Sequence, residues 1–532
     1  MIVAEMVMAA LRAAGARCLF GVPGGGSSLE LMAAARAQGM AFYLARTETG
    51  AAIMAGAMAE LTHAPCPVLT TRGPGVSAAA NGLANASLER APVVLLADGF
   101  SPRERAFACH QYFDHAGLMR PVTKAQLRAD TAPGEAIAAA LQAALTPPLG
   151  PVLLEITGEA ARAEAPNPPP FKRPAPRPPQ APALAAAQSL IAQARRPVII
   201  AGLEALPASR ALRALAEAMG CPVLVTYKAK GVLADAHPLF GGVFTGGAAE
   251  AALLHQADLI LLAGADPVEF VSQPWRYAAP VIDVASVPRQ PHYFAAAAAL
   301  HGDVGLALAE LTATGSDWRA EEIARARHGW AASLTNGPSQ GNRGISPQAV
   351  VELAQAACRE AGRHPRVSVD AGAHMFPCTS FWQAEEPGDL LISNGLASMG
   401  FALPAGIAAA LYDPQRGAIA FTGDGGLLMC LGELATAATL GVKLTVVVFN
   451  DATLSLIDIK KGERALPEGG LDWPMVDFAA VMRGCGGLAF RADDEAGFSE
   501  AMAAALAAPG VSLVDARVDP ASYPAQIKAL RG

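Results

Sequence analysis

The run PNPPPFKRPAPRPPQAPA, from Pro166 to Ala183, cannot hold a helix or a central strand, because each proline fixes φ and removes an amide donor. It reads as an extended linker, residues 166–183, between folded regions. Before it, short apolar runs (CLFGV, PVLTT, APVVLLA, PVLLEI) alternate with helical ones (ETGAAIMAGAMAEL, AIAAALQAAL). Such alternation signals parallel strands covered by helices on both faces. The pattern returns in PVIIAG, CPVLVTY, DLILLAG and PVIDVA. After the polar stretch LTNGPSQGNRGISPQ it appears again in RVSVD, DLLISN, GAIAFTG, KLTVVVFN and SLVDARV. Within that stretch, Ser346 and Pro347 predict an N-cap and a first helical residue. The chain is therefore read as α/β, with three doubly wound parallel-sheet domains at 1–165, 184–337 and 338–532. A length of 532 residues fits about three cores.

Charge and cysteines narrow the partners. A net charge of −7 without a basic run argues against nucleic acid and leaves small molecules. Charged residues make up only 16% while the alanine-rich apolar fraction is 52%, which predicts surface buried between subunits. The cysteines (Cys18, Cys66, Cys109, Cys221, Cys358, Cys378, Cys430, Cys485) are dispersed and read as thiols of a reducing cytoplasm. At the start, Glu5 stands where an export signal is basic, and Arg12 interrupts the apolar stretch. The uncharged run Leu390 to Tyr412 could span a bilayer by length. Its Ser393, Asn394, Gly395, Ser398, Gly400 and Pro404 suit a strand, a turn and a helix instead, so no membrane partner is expected.

The chemistry concentrates in FTGDGGLLMCLGELATAATLGVKLTVVVFND. GAIAF reads as a strand, LLMCLGELATAATLG as a helix and KLTVVVF as the next strand, parallel to the first by the crossover rule. Asp424 and Asp451 then meet at one sheet edge. Gly423, Gly425 and Gly426 leave the turn without side chains, so its amides and the helix dipole suit an anion. Two hard carboxylates beside an anion suit Mg²⁺. Taken singly, either aspartate is an ordinary turn or strand-end residue.

GDG followed at this distance by Asn450-Asp451 resembles the thiamine diphosphate signature of the acetolactate synthase, benzoylformate decarboxylase and pyruvate decarboxylase superfamily. The resemblance runs over nearly the whole chain, in the order pyrimidine-binding, middle and diphosphate-binding domain. It implies thiamine diphosphate and Mg²⁺, with Asp424, Asp451 and the carbonyl of Thr453 as metal ligands. Gly423, Gly425, Gly426 and Leu454 would line the diphosphate turn. Asp451 replaces the family's second asparagine, which keeps an oxygen ligand and adds a charge.

RTETGAAIMAGAMAEL resembles the family's R-H-E-x-x-A-x-x-M-A stretch, which makes Glu48 the pyrimidine-site glutamate, with Thr47 in place of histidine. Such a carboxyl shares a proton with the aminopyrimidine N1′ and favours the tautomer that removes the C2 proton. Glu48 also suits a plain first-turn helix acid. The family implies that Glu48 of one subunit serves its partner's diphosphate unit. A dimer is then the smallest active form and a tetramer the expected assembly. SNGLASMGFALPAGIAAAL resembles the stretch that wedges the two cofactor rings, here with Met399, while Ala397 offers its carbonyl. VDAGAH resembles a D-x-G-x-H loop near the diphosphate and implies contacts from Ala373 and His374.

Three stretches bear on the reaction. TTRGPGVSAAANGLANA resembles the T-S-G-P-G loop, with Arg72 for serine and Thr71 where benzoylformate decarboxylases carry histidine. Arg72 suits a substrate carboxylate or an ion pair with Glu89 or another acid. HQYFDHAGLMRPVTK resembles an acetolactate synthase segment, which places Gln111 near C2, with His110 and His115 as proton carriers or structural histidines. After Asn450-Asp451, Leu456 and Ile457 fall where pyruvate decarboxylases carry an acid. An apolar cover withholds the proton and favours attack on a second carbonyl.

These features imply decarboxylation of a 2-oxo acid with carboligation to an acceptor, as in acetolactate synthase. Simple decarboxylation to an aldehyde is one rival. A catalytically silent cofactor-binding partner, motivated by Thr47, Arg72 and Asp451, is another. GVPGGGS weakly suggests a nicotinamide dehydrogenase. Some relatives bind FAD in the middle domain, but GGVFTGG is too loose a fingerprint to predict it here.

Overall fold

Residues 1–168, 170–270, 274–289, 293–335 and 344–531 are described in the computed structural model. The expected boundary at 337/338 lies outside them. Strands β1 (Cys18–Val22), β2 (Ala41–Leu44), β3 (Cys66–Thr70), β4 (Val93–Asp98), β5 (Gln126–Arg128) and β6 (Val152–Ile156) form a sheet in the order β2-β1-β3-β4-β6-β5. A second sheet contains β7 (Pro197–Ala201), β8 (Val223–Val225), β9 (Phe240–Val243), β10 (Leu259–Ala263), β11 (Val281–Ala285) and β12 (Ala298–His301), in the order β12-β11-β10-β7-β8-β9. The third contains β13 (Arg366–Val369), β14 (Leu390–Ile392), β15 (Ala418–Gly423), β16 (Leu444–Asn450), β17 (Leu488–Ala492) and β18 (Ser512–Arg517), in the order β14-β13-β15-β16-β18-β17.

The pairings that join these strands are parallel, as the apolar runs predict. The first and third sheets share one strand order. In each, the chain reverses direction across the sheet after its second strand, opening a switch point between β1 and β3 and between β13 and β15. Loops at the carboxyl ends of such strands diverge and leave a crevice. His374 and Asp424 follow β13 and β15, the strands that border the second crevice.

One expected helix is two. LLMCLGELATAATLG splits into Asp424–Met429 and Glu433–Leu440, because Cys430 leaves helical geometry at φ −127° and Gly432 begins a new N-terminus. The break puts Glu433 at the start of a fresh helix. Ser346 caps the helix Pro347–Glu360 through Ala349 N, as expected. Leu390 to Tyr412 becomes β14, a turn and the helix Ala402–Tyr412. Among the described residues, no helix is long and apolar enough to cross a membrane.

Alanine lines one contact between the first and third domains. The helices Glu48–Thr62 and Ala402–Tyr412 pack together in one core, where Ala51, Ala55, Ala59, Ala405 and Ala409 allow close approach of their backbones. Lys228 of the middle domain is buried where all three domains meet. Its Nζ pairs with Glu60 at 2.8 Å and Glu89 at 3.0 Å and donates to the Ile392 carbonyl at 3.0 Å. Breaking such a pair would strand a buried charge, so this junction fixes the domains' relative placement.

Candidate functional site

The register of β15 and β16 sets Gly423 opposite Phe449, so the residues that follow leave the sheet side by side. Asp424 opens the helix Asp424–Met429. Its Oδ1 accepts from Gly425 N at 2.7 Å, and its Oδ2 from Ala452 N at 2.7 Å. Asp451 follows β16 directly and accepts from Ser455 Oγ. Burial, then the nearby Asp451 charge, pushes Asp424 up to about 7. Burial alone pushes Asp451 up to about 6. A buried acid and a partly buried one side by side are suited to a divalent ion. Among the described residues no three His, Cys, Asp or Glu side chains converge. Further ligands for an ion here would be backbone, water or phosphate oxygens. The Thr453 side chain is engaged elsewhere, donating to Leu471 O at 3.1 Å.

The anion side is built from His374. Its ring is buried, stacks on Phe449 at 5.3 Å and would lie 3.0 Å from a Cβ at Gly423. Burial lowers it to about 3, and its Nε2 has no hydrogen-bond partner. An orphaned buried nitrogen beside a glycine turn fits a phosphate oxygen. Ala373, its neighbour, is also buried. The glycines are required by packing as much as by an anion. A Cβ at Gly426 would collide with the Asp370 carboxylate, and one at Gly425 would lie 3.1 Å from Trp473 and 3.2 Å from Leu454.

Asp370 organises the neighbouring turn. It is fully buried and accepts from Gly400 N and Phe401 N at 3.0 Å and from Thr422 Oγ1 at 2.9 Å. This seats Met399, whose Cε would lie 3.5 Å from a Gly425 Cβ. Ala397 stands exposed in the left-handed region at φ +54°. The turn leans on the first domain, since Glu89 accepts from Gly395 N at 2.8 Å and Asn85 from Ser393 Oγ at 2.7 Å. Trp473 is a further member of the site, brought in by Leu454 N to Leu471 O at 2.9 Å and Trp473 N to Ala452 O at 3.0 Å. Its Nε1 is also buried without a partner. No motif marked it in the sequence.

Glu48 opens its helix behind the N-cap Thr47, whose Oγ1 accepts from Gly50 N at 2.9 Å. Its half-buried carboxyl is raised by desolvation, with a backbone hydrogen bond opposing. A Cβ at Gly75 would lie 3.2 Å from Glu48 Oε1, so the first turn of the helix Pro74–Leu88, which follows β3, faces this carboxyl. Among the described residues, no hydrogen bond or ion pair links Glu48 to the Asp424 turn of its own chain. What holds the turn is Glu433, fully buried, which accepts from Thr47 N at 3.0 Å, Thr47 Oγ1 at 3.1 Å and Arg46 N at 3.2 Å.

The remaining candidates divide. Arg72 pairs with Glu104 at 3.1 Å and lies 4.4 Å over the Phe100 ring; Glu89, the acid named for it, is instead buried against Lys228. His115 is structural. It is buried, meets Glu155 Oε1 through Nδ1 at 2.7 Å and accepts from Gly73 N at Nε2 over 3.0 Å, which makes Nδ1 the protonated nitrogen. His110 and Gln111 are exposed on a loop, with Gln111 at φ +59° and its carbonyl over Gly73. Leu456 packs partly into the core, while Ile457 is 46% exposed and free to cover a ligand.

Two nucleotide readings meet occupied sites. In GVPGGGS, Asp98 accepts from Gly26 N at 3.3 Å and Ser28 N at 3.1 Å, amides that a pyrophosphate would need. In GGVFTGG of the middle domain, Glu250 Oε1 likewise takes Thr245 N and Gly247 N at 2.9 Å. A dinucleotide phosphate would face these acids.

Comparison with known proteins agrees with this geometry. Residues 1–117 match the N-terminal TPP binding domain of thiamine pyrophosphate enzymes, 184–311 the central domain and 370–516 the C-terminal TPP binding domain. Acetolactate synthase of Bacillus subtilis is 27% identical, over 97% of this chain and 93% of its own. Acetolactate synthase isozyme 1 large subunit of Escherichia coli is 26% identical, over 97% and 94%. A probable 2-ketoarginine decarboxylase, AruI, of Pseudomonas aeruginosa is 28% identical, over 94% and 91%. With all three domains matched in order, the chain belongs to the thiamine pyrophosphate-dependent enzymes that act on 2-oxo acids.

Proposed function

We propose that this enzyme uses thiamine diphosphate and Mg²⁺ to decarboxylate a 2-oxo acid and joins the acyl unit to an acceptor, in the manner of an acetolactate synthase. The observation that carries the reading is the pair of Asp424, buried, and Asp451, partly buried, in the same region as the unpartnered His374 Nε2. Asp424, Asp451 and the Thr453 carbonyl would hold the metal. His374 and the Gly423–Gly426 turn would receive the diphosphate. When bound, the cofactor supplies the electron sink that lets a 2-oxo acid lose carbon dioxide.

The chain's own groups then manage protons and water. Glu48, raised by partial burial, holds a proton at the aminopyrimidine side of its partner's site, so the smallest active unit in this reading is a dimer, with a tetramer expected. Ligation is favoured because the helix Ser455–Glu463 opens with Leu456 and Ile457, while Asp458 pairs with Lys461 at 2.7 Å. No acid is free in that first turn to end the reaction by protonation. The cysteines, none in a disulfide among the described residues, support a cytoplasmic setting.

Incubating the enzyme with pyruvate, with and without added aldehyde, tests the reading. A ligated hydroxy ketone or 2-hydroxy-2-acyl acid is expected; free aldehyde as the sole product would establish plain decarboxylation, which the likeness to AruI keeps as the second reading. Failure to accelerate C2 proton exchange would show a silent partner.

A further inference from the structure

Arg72 stands on the short loop between β3 and the helix Pro74–Leu88, whose first turn faces Glu48. Three residues further on, Gly75 borders the Glu48 carboxyl, and the preceding Thr71 packs where Gly24 leaves no room for a Cβ. The guanidinium is held on two sides. It lies 4.4 Å over the Phe100 ring and its NH1 donates to Glu104 Oε1 at 3.1 Å. Glu104 is itself fixed, its Oε2 accepting from Ser101 N at 2.8 Å while its own N donates to Ser101 Oγ at 3.1 Å. Backbone hydrogen bonding at Ser101 and then the Arg72 contact keep Glu104 below the usual carboxylate range. Tyr112 meets Phe100 edge-on at 5.1 Å and completes the platform.

The Arg72 side chain remains 36% exposed, and Glu104 is the acceptor recorded for its five N–H donors. Its geometry is preset and its other edge is open. Stacking on Phe100 lowers the entropy lost when that edge takes a ligand. A planar fork presented in this way matches a carboxylate.

Which carboxylate it serves follows from the reaction, and this step rests on the function proposed above. Loss of carbon dioxide carries charge away from the donor's carboxylate. A guanidinium on that group would be strongest in the ground state and would slow the step. The acceptor behaves differently. A carbon–carbon bond forms between the donor's acyl carbon and the acceptor's carbonyl carbon, the acceptor oxygen takes one proton, and the acceptor's carboxylate persists into the product. A cation on this loop would assist that partner throughout.

We propose that Arg72, braced by Glu104 and Phe100, binds the carboxylate of the acceptor and is the residue that sets a preference for a 2-oxo acid over an aldehyde at that position. The test compares wild type with Arg72→Gln and Arg72→Lys, using pyruvate as donor and pyruvate, 2-oxobutyrate or benzaldehyde as acceptor. Carbon dioxide release and ligated product are measured together, and C2 proton exchange, which needs no substrate, reports cofactor and fold. Arg72→Gln is expected to lower ligation to the 2-oxo acids relative to benzaldehyde about 10- to 100-fold, the scale of one charge-assisted pair. Arg72→Lys keeps the charge and loses the fork, and should fall between.

An unchanged acceptor ratio overturns the proposal. So does a drop in C2 exchange as large as the drop in ligation, which would make Arg72 structural. Absence of thiamine-dependent carbon dioxide release in the wild type would instead defeat the function on which it rests.

Discussion

Glu433→Ala tests how the two halves of the catalytic apparatus are held together within one chain. The carboxylate is fully buried and receives two backbone amides, from Arg46 and Thr47, and two hydroxyls, from Thr47 and from Thr436 at 2.7 Å. Removing it orphans these donors, at roughly 1–3 kcal/mol for each one left without a partner. Arg46 and Thr47 are exposed on their outer sides, so water reaches part of the released turn. The hydroxyls can rotate toward other acceptors. The total therefore stays near the low end, about 2–3 kcal/mol. Urea denaturation by linear extrapolation measures it at fixed protein concentration, since an oligomer's stability depends on concentration. Because Glu48 follows Thr47 directly, C2 proton exchange at saturating thiamine diphosphate should also fall, by about tenfold or more. A destabilisation under ~1 kcal/mol would refute the accounting. Lost stability with full exchange would show that Glu433 joins domains without setting Glu48.

Three further outcomes follow from the same geometry. Glu48→Gln should reduce turnover by about 100-fold or more, the general acid–base scale, while leaving the circular dichroism spectrum intact; near-normal turnover would remove Glu48 from catalysis. Asp451→Asn removes a charge that burial disfavours. The cofactor-free protein should gain about 2 kcal/mol at pH 8, where that acid is ionised, and little at pH 4, as read by denaturation midpoints. His374 is lowered to about 3 by burial, so on acidification below about 6.5 the unfolded chain takes up a proton that the folded chain refuses. Stability of the cofactor-free protein should fall by about 1.4 kcal/mol per pH unit from this source between 6.5 and 5, and His374→Asn should flatten that slope.

Apart from β14, an edge strand that is nonetheless buried at every residue, the strands that the sequence revealed are those with neighbours on both sides. β3, β4 and β6 are buried at every residue and read as unbroken apolar runs. The strands that escaped, β2, β5, β9, β12 and β17, are sheet edges. β2 and β17 are half-exposed and mix polar with apolar residues, and β9 carries Gly241 and Gly242. Burial on both faces writes a hydrophobic run into the sequence, and an edge does not. The helix break at Cys430 was invisible for a related reason: alanine and leucine suit a continuous helix, and only packing decides otherwise.

The sequence by itself determined the α/β alternation and the local unit carrying Asp424 and Asp451, because each is governed by residues close together in the chain. Only tertiary structure decided which carboxylates already hold the glycine-rich turns. Asp98 fills GVPGGGS, Asp370 excludes a side chain at Gly426, and Glu433 grips the turn before Glu48. It likewise separated His115, locked between Gly73 and Glu155, from Arg72, braced but open. These assignments turn on partners tens to hundreds of residues away. A hydrogen bond's partner is fixed by where the strands converge, and no local pattern of residue types records that.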